Sequence, residues 1–315
     1  MADLQETAFF IGDVALDDYY TAERWPGLAD KADIRENKSY VGGMIANAAS
    51  VHAGLGGRTE FISLLNHSDL SRRLCDELNR LDVATTHMLH DAGTANSHNM
   101  IFLVGGEHVV LIGETGNAPM QLPASTLEAL RKPGYLYTTI SRSKRLRSDG
   151  LAGAELLADL RAHGRKLVFD LDVDGFVPAD VEYLCGADIV IMNEIGFGLA
   201  FGTTELAAIN DWMREHQVRI VIRTLAAAGA EAYDGSGIVK VAGYEVAVVD
   251  VTGAGDTFGG ALVYAIDRSP DLASALEFAV AAASRAVTIE GPQGGVATVD
   301  TIERFGSEHS AARRA

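Results

Sequence analysis

The chain has 315 residues, 48% of them hydrophobic and 22% charged: enough apolar material for a packed core, and a balance that excludes a disordered chain. A formal net charge of −17 excludes a broad phosphate-backbone footprint, because nucleic-acid binders present a basic surface. The length exceeds the commonest size of a single domain, so one large α/β domain with an added subdomain is expected.

Residues 1–7 are polar and acidic, with no basic stretch leading into an apolar one, and no apolar run approaches membrane-spanning length. Cys75 and Cys185 stand far apart with no C-x-x-C spacing, as suits a reduced cytosol. A cytoplasmic protein with neither membrane nor nucleic-acid partners is expected.

In chain order, short apolar runs at 8–14, 59–65, 135–140, 166–171, 188–192, 219–224 and 246–251 predict strands. Amphipathic stretches such as 70–81, 151–163 and 206–216 predict helices between them. Strands apolar on both faces, alternating with helices, predict a mostly parallel sheet sandwiched by helices. Two regions break the rhythm. Residues 17–41 are long, polar and non-periodic, and 94–113 reads as a hairpin of 100–104 and 108–112 around Gly105-Gly106-Glu107. Together they predict a small β-rich lid, and a homodimer through that lid is expected because exposed β edges tend to be covered. Residues 307–315 read as a frayed tail.

The segment 250–262, DVTGAGDTFGGAL, carries the most chemistry. An apolar run enters a turn of small residues and then a helix with Phe258, Leu262 and Ile266 on one face. Gly253, Ala254 and Gly255 lack bulk, so their N–H groups can close around an oxyanion at the helix N-terminus. Asp256 follows in the first turn, placed to accept a hydroxyl proton as that oxygen attacks phosphorus. On spacing alone Asp256 serves equally well as a helix-capping carboxylate. A dinucleotide fingerprint is excluded by Phe258 where a third glycine belongs, and no G-x-x-x-x-G-K-[ST] loop is present. The basic cluster Arg142, Lys144, Arg145 and Arg147 follows the run ending at Ile140 and reads either as a solvated basic loop or as a site that steers ATP or clamps a carboxylate or phosphate of the substrate, with Arg142, closest to the strand end, the candidate substrate contact. His98 and Asn99 fall on the predicted lid, and His87 and His90 lack partners at zinc spacing.

Segment 250–262 closely resembles the C-terminal signature of the ribokinase-like, or pfkB, carbohydrate kinase family. Gly42-Gly43-Met44-Ile45-Ala46-Asn47-Ala48-Ala49 is similar to its N-terminal G-G-x-x-x-N-x-A element. The resemblance runs in order along nearly the whole chain and implies an ATP-dependent kinase acting on a sugar-like hydroxyl. It implies that Asp17, Gly42, Gly43 and Asn47 bind substrate, and that Asn193, Thr224, Ala226 and Gly229 lie along the nucleotide. It also implies magnesium carried by the phosphates, with Glu194 reaching it through water, and a potassium-like cation near Asp250 and Thr252. This chain departs from the family pattern at Gly196, where a glutamate is usual, at Ala226, where a glycine is usual, at residues 66–69 and at Val280. Gly196 and Ala226 motivate the alternative of a non-catalytic sugar or nucleotide sensor. A nucleoside kinase is a further alternative, because the scaffold alone does not choose the acceptor.

Overall fold

The computed structural model describes residues 6–105, 107–113 and 118–310. Gly106 of the predicted hairpin turn, residues 1–5 and the last part of the predicted tail, 311–315, lie outside the described residues.

Six of the seven predicted strands pair in a sheet whose order runs Ile238–Ala242, Gly229–Tyr233, Ile220–Thr224, Ile189–Asn193, Arg165–Asp170, Gly134–Thr138, Ala8–Ile11, Thr59–Ile62, Val83–Ala84. Its members are parallel except where Gly229–Tyr233 runs against both neighbours. Successive side chains of a strand point to opposite faces, and both faces are apolar here. Phe10, Val168, Ile191 and Ile222 enter one core with helices Met44–Gly54, Ala254–Ala265 and Leu272–Ala286. Ile11, Phe169, Val190 and Val221 enter the other, with helices Ala124–Leu130, Gly153–Ala162 and Leu206–His216.

Residues 246–251 correct the sequence reading: they form no strand. Val248, Val249 and Val251 are exposed, and the N–H groups of Val249 and Asp250 both donate to the Val287 carbonyl. The sheet ends instead at Ile238–Ala242, the outer strand of a hairpin with Gly229–Tyr233.

Residues 17–41, which lack a clear period, contain most of one strand, Ala15–Ala22, and nearly all of another, Ile34–Gly42. With His98–Val104 and Glu107–Ile112 these make a separate four-stranded sheet in the order Ile34–Gly42, Ala15–Ala22, His98–Val104, Glu107–Ile112. Its register sets Asp17 beside Tyr40 on one side and Asn99 on the other. Among the described residues no helix is long and apolar enough to cross a membrane.

Candidate active site

The central parallel strands all end at one edge of the large sheet, where open α/β sheets hold ligands. Gly12, Thr138, Asp170, Asn193 and Thr224 lie there, each at or just past the end of its strand.

Two helices start at this edge. Met44–Gly54 begins after Gly43, whose φ of 116° and close approach to the Asp13 carbonyl only glycine tolerates. A side chain at Gly42 would overlap the Asp17 carboxylate, so the bare backbone there lets that carboxylate lie over it. The second helix, Ala254–Ala265, begins after Gly253 in the left-handed region (φ 78°). Gly255 faces open space, leaving its surroundings free for a ligand. The two helices pack closely because Gly260 has no side chain where a Cβ would overlap the Ala48 carbonyl, and Gly259 likewise lets the second helix lie on the Tyr137 hydroxyl of strand Gly134–Thr138.

That approach brings Asn47 to Asp256. The Asn47 amide Nδ2 donates to Asp256 Oδ2 at 2.7 Å. Protein surrounds Asp256 densely, although part of its surface still meets solvent. Burial pushes its pKa up to about 7; the Asn47 amide pulls it down, and the charges of Asp170 and Asp172 push it up again. Asp170 is itself pushed up to about 6 by burial, while accepting the Tyr137 hydroxyl and feeling the Asp172 charge. Asp170, Asp172 and Tyr137 were not singled out from the sequence. The acid-x-acid pattern ending the run 165–170 was the available signal.

Asp17 is buried and accepts from Asn99 Nδ2 at 2.8 Å. Burial raises its pKa, the Asn99 bond lowers it, and neighbouring Asp18 raises it. His98 instead pairs with Asp18, Nε2 to Oδ2 at 2.5 Å. Arg142 makes an ion pair with Asp13 on a cleft of about 690 Å³ bordered also by Gly43, Asn99, Arg145, Asp170 and Asp172.

Asn193 and Thr224 are direct neighbours across two parallel strands. Asn193 caps helix Glu194–Phe201 by accepting the Gly196 N–H, and its amide donates to Asp172 Oδ1 at 3.0 Å. The departure at Gly196 has a packing cause: a Cβ there would overlap the Asp172 carbonyl, so no glutamate fits. Glu194 pairs with Arg223 at 2.6 Å. Ala226 adopts φ 48°, a left-handed conformation normally left to glycine, and Gly229 (φ 102°) has no room for a Cβ beside the Val241 carbonyl.

Among the described residues no three carboxylate, imidazole or thiolate groups converge as a metal cage. The Asp250 oxygens accept the N–H groups of Thr252 and Gly291, at 2.9 Å each. Burial alone would raise the Asp250 pKa, but these N–H groups bring it below the usual value.

Fold and site thus define an α/β protein with a polar cleft at the carboxyl edge of its sheet and, beside a helix start, an aspartate whose pKa its surroundings raise. The family model for pfkB family carbohydrate kinases matches residues 6–298, and the chain belongs to that family. It is a phosphotransferase with an alcohol group as acceptor. It is 25% identical over 297 residues to a ribokinase of Bacillus subtilis, covering 94% of this chain and 97% of the relative. It is also 25% identical over 292 residues to a 5-dehydro-2-deoxygluconokinase of the same organism, covering 84% and 86%. Among solved structures, Arabidopsis thaliana ribokinase complexed with ribose and ATP superposes with a TM-score of 0.82 at 22% identity, covering 96% and 99% of the two chains.

Proposed function

We propose that this carbohydrate kinase transfers the γ-phosphoryl group of ATP to a hydroxyl of a small sugar or sugar-like molecule, with Asp256 taking the hydroxyl proton. The observation that carries this is the placement of Asp256 in the first turn of a helix whose start is bare backbone, with its pKa pushed up to about 7. A base with that pKa is half ionised near neutrality and hands its proton on readily. The amides of Gly253 and Gly255 stabilise charge on the transferring phosphoryl group, whereas the Ala254 N–H, expected from the sequence to join them, donates to the Val251 carbonyl at 3.3 Å. Asp17, Gly42, Gly43 and Asn47 hold the acceptor, Asn47 by orienting the Asp256 carboxylate and Asp17 by accepting from acceptor hydroxyls.

ATP lies along Thr224, Ala226 and Gly229 with Asn193 nearby, as the adjacency of Asn193 and Thr224 supports. Magnesium, when bound, would neutralise phosphate charge, and Glu194, with Asp172, would reach it through its waters. No step is assigned to a monovalent cation. The four-stranded sheet, including the segments 17–41 and 94–113, acts as a lid that excludes water within one kinase unit. Its exposed Ile34, Met100 and Leu111, which share one face of the sheet, support a homodimer built on it.

The relatives' names span a ribose kinase and a kinase of a gluconate derivative, which keeps the acceptor at the level of a sugar or sugar-like alcohol. The deciding experiment is ADP release by the purified protein with ATP, magnesium and a panel of sugars, sugar acids and nucleosides. Acceptor-dependent ADP supports the proposal. Thermal stabilisation by an acceptor with no ADP would instead mark a binding protein without turnover, the reading that Gly196 and Ala226 suggest.

A further inference from the structure

Arg145 stands on the wall of the 690 Å³ cleft yet is only 7% exposed. Its Nε donates to the Ala118 carbonyl at 2.8 Å, and among the described residues no carboxylate pairs with its guanidinium. The neighbouring charges are already engaged. Asp13 is held by Arg142, Asp180 by Lys144 at 2.5 Å, Asp170 by Tyr137 and Asp172 by Asn193. A recessed guanidinium with no carboxylate partner among the described residues is costly to hold in place. Burial lowers the Arg145 pKa, the Arg142 cation lowers it further, and Asp13 only partly restores it.

We infer that the acceptor carries an anionic group, a carboxylate or a phosphate ester, which Arg145 binds with help from Arg142. This deepens the kinase reading and rests on it. The planar fork of each guanidinium matches two oxygens of such a group, and Arg145 is preorganised by its bond to Ala118. Asn99 and Gly43 border the same cleft, so an acceptor anchored at Arg145 extends toward Asp17 and the start of the Asn47 helix. Asp174 also borders the cleft and repels negative charge, which restricts the anion to a small group seated at the arginine end.

The test is calorimetric binding, without nucleotide, of matched pairs differing only in charge: gluconate against glucitol for the carboxylate, fructose 6-phosphate against fructose for the phosphate. At least one anionic member is expected to bind about 10-fold or more tightly than its neutral partner. Arg145→Met is expected to remove that preference while the neutral partner's affinity stays within about 3-fold. If that buried substitution does not fold, Arg142→Gln, at the cleft rim, carries the same test with a reduced preference expected. Equal or tighter binding of both neutral members, no binding of either anion, or a preference unchanged in the folded variant overturns the inference. ADP release is read in parallel. Anion binding without turnover sinks the kinase reading and leaves the anion site standing, whereas turnover of neutral acceptors alone does the reverse.

Discussion

The Asn47 amide and the Asp256 carboxylate meet at 2.7 Å although 209 positions separate them in the chain. Their meeting depends on the absence of a side chain at Gly260, which lets one helix rest against the Ala48 carbonyl of the other. Asn47 is buried, so the bond forms where water competes little. The pair therefore couples helix packing to the charge state of the candidate base.

Asp256→Asn keeps the shape and an acceptor for the Asn47 amide but removes the base. Turnover is expected to fall by about 10²-fold to 10⁴-fold with ATP affinity nearly unchanged. Stability is expected to move the other way. The folded pKa of about 7 exceeds the ordinary value of 3.8, so the wild-type fold binds the extra proton between those pH values and loses stability as pH rises through 7. The variant escapes that loss. Its melting temperature relative to wild type should rise from pH 5 to pH 8, and an unchanged difference would show that Asp256 is not a destabilised carboxylate.

The same pKa sets an acid limb on activity. kcat/KM should decline as pH falls through about 7, because the base is then protonated. Asp170→Asn removes a neighbouring negative charge and should shift that limb to lower pH. Asn47→Ala removes the hydrogen bond that favours the carboxylate and should shift it to higher pH. Limbs that coincide in all three proteins would place the titrating group elsewhere.

Gly260→Val forces the two helices apart. Overpacking of this kind costs about 1–3 kcal/mol, measurable by urea denaturation. Activity measured well below the melting temperature should fall as well, since Asn47 and Asp256 separate. Full activity in a destabilised protein would mean that their contact is incidental.

Gly255→Val offers the contrast, because the added side chain meets open space. Stability should change little, while occupation of the phosphate position lowers turnover by about 10²-fold or more. Normal turnover here would remove the backbone cradle from the mechanism.

Ala226 sits at φ 48°, where a Cβ crowds the backbone. Ala226→Gly relieves that strain at some cost in unfolded-state entropy, for a net gain of up to about 1 kcal/mol in thermal or denaturant melts. A loss of stability would show that the neighbouring 3₁₀ turn, Ala226–Ala228, depends on the alanine side chain.

Local pattern sufficed for the strands at 8–11, 134–138 and 189–193, since runs apolar on both faces have few other uses. It misread 246–251, because a β-branched run looks the same whether or not a sheet edge is free to receive it. Asn47 was legible as a polar residue at a helix start, with sugar hydroxyls as its expected partners; one of its amide hydrogens is committed to Asp256 instead. Gly196 looked like a lost glutamate, and contact with the loop at Asp172 gives it a steric reason.

By itself, then, the sequence determined the alternation of strand and helix, the bare backbone at the two helix starts and an aspartate in the first turn of the second. These depend on neighbours within a few residues, and short-range patterns carry them. The tertiary structure decided which polar groups face one another: Asp256 against Asn47, Asp170 and Asp172, and Arg145 without a carboxylate partner among the described residues. Electrostatic environment depends on distance and burial in space, and residues remote in the chain set both.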